Sequence, residues 1–81
     1  MPRYYIDIRS HFGIDEDPVG LVLPDINAAR AEALKVVCKL MEIWDGRQPA
    51  YSTEIAIEIV GEDLRTVLAI PYSEMKLHLD E

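Results

Sequence analysis

Basic residues are scarce in this sequence: eight Lys and Arg stand against fifteen Asp and Glu, for a formal net charge of −7. They are also scattered, from Arg3 and Arg9 through Arg30, Lys35, Lys39 and Arg47 to Arg65 and Lys76. Such a chain repels a phosphate backbone, so nucleic acid is not an expected partner. Cysteine occurs once, at Cys38, so no intrachain disulfide can form, and inside a helical pattern the thiol reads as a small buried hydrophobe. No apolar run approaches the ~20 residues that cross a bilayer, and no basic segment leads into an apolar stretch at the start. The expectation is a cytoplasmic protein with no membrane partner. Gly-rich phosphate loops, Cys and His metal spacings and motif-grade carboxylate pairs are missing as well. No catalytic residue, cofactor or metal site is therefore assigned, and the chain is read as a non-enzyme.

What is present is a globular balance: 81 residues, 49% hydrophobic and 28% charged. That is material for one core and one domain, residues 1–81. "RYYIDIR", residues 3–9, alternates, with Tyr4, Ile6 and Ile8 on one side and Tyr5, Asp7 and Arg9 on the other. The turn-rich, acidic "SHFGIDEDP", residues 10–18, predicts a long mobile loop before a second short strand in "VGLVLP", residues 19–24. Asp25 is suited to cap a helix from about residue 26 to about residue 44, closed near Asp45 and Gly46. Ala29, Ala33, Val36, Val37, Leu40, Met41 and Trp44 recur at helical spacing, opposite Glu32, Lys35, Lys39 and Glu42.

"TEIAIEIV" then alternates with Ile55, Ile57 and Ile59 inward and Glu54, Ala56 and Glu58 outward, and "TVLAIPYSEMKLHL" predicts a last strand broken near Pro71 and Ser73. Leu68, Ile70 and Tyr72 are expected to face the core before the break, and Met75, Leu77 and Leu79 to continue the alternation after it. The resulting class is α+β, strand-strand-helix-strand-strand, with one helix packed on a four-stranded antiparallel sheet.

The start "MPRYYIDIR", the "GLVLP" at 20–24 and the helix opening "DINAARAEAL" resemble a family of short uncharacterised bacterial proteins, catalogued as a domain of unknown function. That resemblance implies the layout but no activity, cofactor or catalytic residue. A lesser likeness is to HicB-type antitoxins, which also pass from a hairpin through a Pro-Asp step into an Ala- and Glu-rich helix. It implies a regulator that binds a protein partner, although their Gly-Cys step and appended DNA-binding segment are missing here.

Three groups of side chains invite a functional reading. One helix covers one face of a sheet, and the other face is expected to carry Tyr5, Val22, Ala56, Val60, Val67 and Ala69. Apolar patches of this kind mark contact surfaces, so a homodimer is expected, with an unidentified protein as the other candidate partner. His11, Asp15, Glu16 and Asp17 form the densest polar cluster, read as a solvated acidic turn with cation or ligand binding as its alternative. Arg30 falls on the apolar arc of the helix. It is expected to run its stem along the core to a structural ion pair with Asp7 or Asp25, since an unpaired buried charge is costly. His78 reads as an exposed strand residue, and Ser10 beside His11 does not make a nucleophile and base by adjacency alone.

Overall fold

The computed structural model describes residues 1–79, without the side chains of Lys76, His78 and Leu79. Five strands, two helices and one 3-10 turn follow in the order β1 Arg3–Ser10, β2 Gly13–Asp15, β3 Leu21–Val22, α1 Ile26–Trp44, the 3-10 turn Ser52–Glu54, β4 Ala56–Val60, β5 Thr66–Pro71 and α2 Tyr72–Leu79. The sheet is antiparallel and open, in the order β2-β1-β4-β5, with β3 also paired to β1. The α+β class is as expected. Its strand count differs because the acidic stretch interrupts one returning strand and divides it into β2 and β3.

α1 begins and ends where its caps dictate. The Asp25 carboxylate accepts from the Ala28 N–H at 2.9 Å, and Asp45 closes the helix in the left-handed region with φ 51°. Ala29, Ala33 and Val37 are buried on the helix side that meets the sheet, where the small side chains at 29 and 33 let the two layers approach. Facing them are Ile55, Ile57, Ile59 and Ile70, each at most 7% exposed. Burial of each isoleucine is worth about 1.5–3 kcal/mol, so this β4–β5 centre supplies much of the driving force.

Two positions on α1 depart from expectation. Arg30 is exposed, not directed at the core. At 100° per residue it lies about 60° off the line through Ala33, on the flank of the buried stripe, where the guanidinium stays hydrated. Asp7 is paired in register with Glu58, and both alternate against the buried Ile57 and Ile59, on the side away from the helix. Cys38 is exposed too: it directly follows the buried Val37, and one step of the helix turns it out of the core.

The last element is a helix, not the continuation of a strand. Pro71 ends β5, the Tyr72 N–H donates to the Ile55 carbonyl at 3.0 Å, and the chain then turns into α2 with Glu74 in its first turn. Tyr72 and Met75, three apart, share a face: Tyr72 packs edge-on against Trp44 at 5.6 Å and Met75 is fully buried. Leu77 is 67% exposed, as helical spacing requires and strand alternation would not. The expectations for the Leu79 and His78 side chains fall outside the described ones.

Candidate interaction surface

The side of the sheet away from α1 is assembled by strand register. Tyr5 pairs with Val60, Asp7 with Glu58 and Arg9 with Ala56 across β1 and β4; Glu58 pairs with Ala69 and Ala56 with Pro71 across β4 and β5. A bulge between Ile59 and Val60 adds Val67 beside this set, and Val22 joins it opposite Arg3. Of the six apolar residues expected on this side, Tyr5, Val22, Ala56, Val60 and Ala69 stand in these pairs, while Val67 is the residue that the bulge leaves without a β4 partner. Val67 is 50% exposed and Val22 46%, Ala69 is exposed, and Tyr5, Ala56 and Val60 are half-buried.

They do not form one continuous patch. Asp7 and Glu58 cross the middle, and the Arg9 guanidinium bonds the Glu58 carboxylate at 3.0 Å. The charged row separates Tyr5 and Val60 from Ala56, so the apolar surface concentrates toward β5.

The opposite edge is organised around Asp17. The pairs Ile8 with Asp15 and Tyr4 with Leu21 bracket three residues on β1 but five, 16–20, on the returning chain. That chain must therefore bulge. The Asp17 carboxylate gathers the excess, with one oxygen accepting from the Val19 and Gly20 N–H groups at 3.1 and 3.0 Å and the other from the Ile6 N–H at 3.3 Å. The Asp17 N–H in turn donates to the Asp7 carboxylate at 2.9 Å, and the Arg3 guanidinium donates to the Val19 carbonyl at 2.8 Å. Burial pushes the Asp17 carboxyl up, but the bonds from Gly20, Val19 and Ile6 outweigh it and hold the group below its ordinary range.

Gly20 completes the bulge at φ +74°, where a Cβ would lie 2.8 Å from the Tyr4 carbonyl oxygen and 2.9 Å from the Tyr5 ring. The long mobile loop expected at 10–18 is thus a tight turn at His11 and Phe12 followed by a pinned bulge. "DPVG", residues 17–20, held the signal, since Asp, Pro and Gly at the first, second and fourth places mark a turn closed by the aspartate itself.

His11 parts company with the acids it neighbours in sequence. Its ring stacks on Tyr51 at 3.8 Å, meets Phe12 edge-on at 5.2 Å, and its Nδ1 bonds the Glu54 carboxylate. The partners Tyr51 and Glu54 are forty or more positions away in sequence, which is why spacing could not show them. Ser10 does not engage His11: its Oγ accepts from the Phe12 N–H at 3.3 Å and donates to the Gly13 carbonyl at 3.4 Å. An open groove of about 500 Å3 runs from Arg9 and His11 past Glu54 to Pro71. A second, of about 580 Å3, lies between α1 and the bulge, with Lys35 and Lys39 on one wall and Asp17 and Leu21 on the other. Among the described residues no cluster of His, Cys, Asp and Glu has the geometry of a metal centre, and no helix is long and apolar enough to cross a membrane.

Among known protein families, the one described as a domain of unknown function (DUF6894) matches residues 3–73. No curated protein and no solved structure matches the chain.

Proposed function

Because the chain belongs to the DUF6894 family, whose description names no activity, its role has to be read from its surfaces, and we propose a non-catalytic, cytoplasmic interaction module that self-associates. The observation that carries this reading is the uncovered side of the sheet, where Val22, Val67 and Ala69 are exposed around half-buried Tyr5 and Val60. Exposed apolar groups grouped on one side of a small domain are a contact surface, and a twofold pair covers such a surface with a single sequence. A short chain also gains by burying it, since its own core is small.

Sedimentation equilibrium tests the proposal. The wild type is expected to show a concentration-dependent dimer, and Val67→Glu, which places a carboxylate in the most exposed part of the surface, a folded monomer. A wild type that stays monomeric at high micromolar concentration removes the reading.

A further inference from the structure

We propose that the uncovered side of the sheet is met by the same side of a second copy, about a twofold axis that crosses the strands level with Ile8 and Ile57 and sets Arg9 of each copy against Asp7 of the other. The inference rests on the self-association reading and names the geometry of that association.

Strand register places a charged row beside a mostly apolar one on this side. Ile14, Arg9, Ala56 and Pro71 lie in line across β2, β1, β4 and β5, and Asp7, Glu58 and Ala69 lie in line across the last three. Ile14, 47% exposed, joins the uncovered side, since directly opposite residues share a side. The charges in these rows are only half used. Among the described residues the Arg9 guanidinium is bonded through Nε alone, to Glu58 at 3.0 Å, and the Asp7 carboxylate through Oδ1 alone, by the Asp17 N–H at 2.9 Å. Each copy therefore presents, two residues apart on one strand, a guanidinium edge with donors to spare and a carboxylate oxygen able to accept.

A surface that carries both halves of an ion pair is complementary to itself when a twofold axis passes midway between them. Here the midpoint is Ile8, whose cross-strand partner is Ile57. Sheets that pack face to face keep their strands within about 30° and lie ~10 Å apart, a gap that an arginine and an aspartate reaching toward each other can span. The axis then runs nearly across the strands or nearly along them. Across them at Ile8, it makes two Arg9–Asp7 pairs, sets Pro71 over Ala69, and carries Tyr5 and Val60 toward the end of the other sheet, where Phe12 and Tyr51 are 83% and 55% exposed. Other positions are poorer. An axis along the strands between β1 and β4 sets Asp7 against Glu58 in a protein of charge −7. Across the strands, an axis level with Asp7 sets each acid against itself, and one level with Ile6 sets Arg9 against Arg3. One level with Tyr5 offers Asp7 to an Arg3 already bonded to the Val19 carbonyl, and carries Ala56 past the end of the other sheet. The cost of desolvating the charged row is reduced in advance, because the Glu58 side chain is already only 15% exposed and bonded to Arg9.

Sedimentation equilibrium on charge-reversed chains, alone and mixed, tests the pairing. Arg9→Asp sets a carboxylate against Asp7 of the other copy, and Asp7→Arg sets a guanidinium against Arg9, so each alone is expected to be monomeric. Mixed, they restore both pairs, and a heterodimer is expected with a Kd within about tenfold of the wild type. Net charge cannot produce it, since both chains stay negative. Circular dichroism with a thermal melt checks that each chain folds. Arg9→Gln and Asp7→Asn, which keep the shapes and leave the Asp17 N–H an acceptor, carry the test if a reversal does not fold. Each should raise the dimer Kd about tenfold or more, and the double variant no further than the larger single effect. A wild-type dimer unchanged by Arg9→Gln and Asp7→Asn, or folded reversed chains that stay monomeric when mixed, overturns the facing pair and leaves the self-association reading standing. A wild type monomeric throughout overturns both.

Discussion

The two edges of this sheet solve opposite problems. At one, β2 and β3 contribute three and two residues, and the chain between them is thrown into a bulge held by Asp17, Gly20 and Arg3. Short strands, a bulge and charged side chains are the devices by which sheets avoid joining one another. At the other edge β5 runs six residues with only a bulge near its start and Pro71 at its end. The comparison teaches that edge protection here is local and uneven: one side is closed by a turn that ties up its own carboxylate, while the other ends in a strand that pairs with β4 on one side and, among the described strands, with none on the other.

The largest effect should come from reopening the closed edge. Gly20→Val forces a branched side chain into φ +74° and against the Tyr4 carbonyl, at a cost of about 2–4 kcal/mol read by urea unfolding. The same change at Gly46, which has positive φ but open space around it, should cost only about 1 kcal/mol. A smaller loss, about 1–3 kcal/mol, is expected for Asp17→Ala, which leaves the Ile6, Val19 and Gly20 N–H groups without their acceptor. Asp7→Ala should cost less, since Asp7 accepts one backbone N–H from the bulge.

Acid separates the edges further. Because the folded Asp17 carboxyl is lowered, its contribution is complete above the unfolded value near ~3.9 and is lost as pH falls through the lower folded value. The melting temperature should therefore drop over that acid range, and Asp17→Asn should flatten the drop. Val67→Thr on the open edge is expected to be the mildest change. It keeps a β-branched shape at a half-exposed site, so monomer stability should shift by less than about 0.5 kcal/mol, while dimerisation weakens measurably by sedimentation.

α1 was legible because everything that defines it is local. Asp25 binds an amide three residues on, and the buried residues repeat every four. The alternation of Ile55, Ile57 and Ile59 likewise marks a strand without reference to partners. Arg30 and Cys38 were placed too deep because a helical stripe has flanks whose burial depends on the width of the surface beneath it. α2 was read as a strand because Met75 and Leu77 sit two apart, and nothing within the segment says that Pro71 and the Tyr72–Ile55 bond redirect the chain. The alternation of Tyr5, Ala56, Val60 and Ala69 with the inward residues follows from strand parity alone, and Val67 does not, because the bulge breaks the parity there. The charged row that splits them depends on which strands are neighbours.

The sequence by itself determined the class, the helix and its caps and the inward isoleucines, since each depends on contacts within a few residues or on a fixed period. Tertiary structure decided that β1 lies between the returning strand and β4, that His11 meets Tyr51 and Glu54, and that β5 is at the end of the described strand order. Those outcomes depend on pairing between distant segments. A strand's alternation says which way its side chains point, but the backbone groups at its edges are alike in every strand and name no partner.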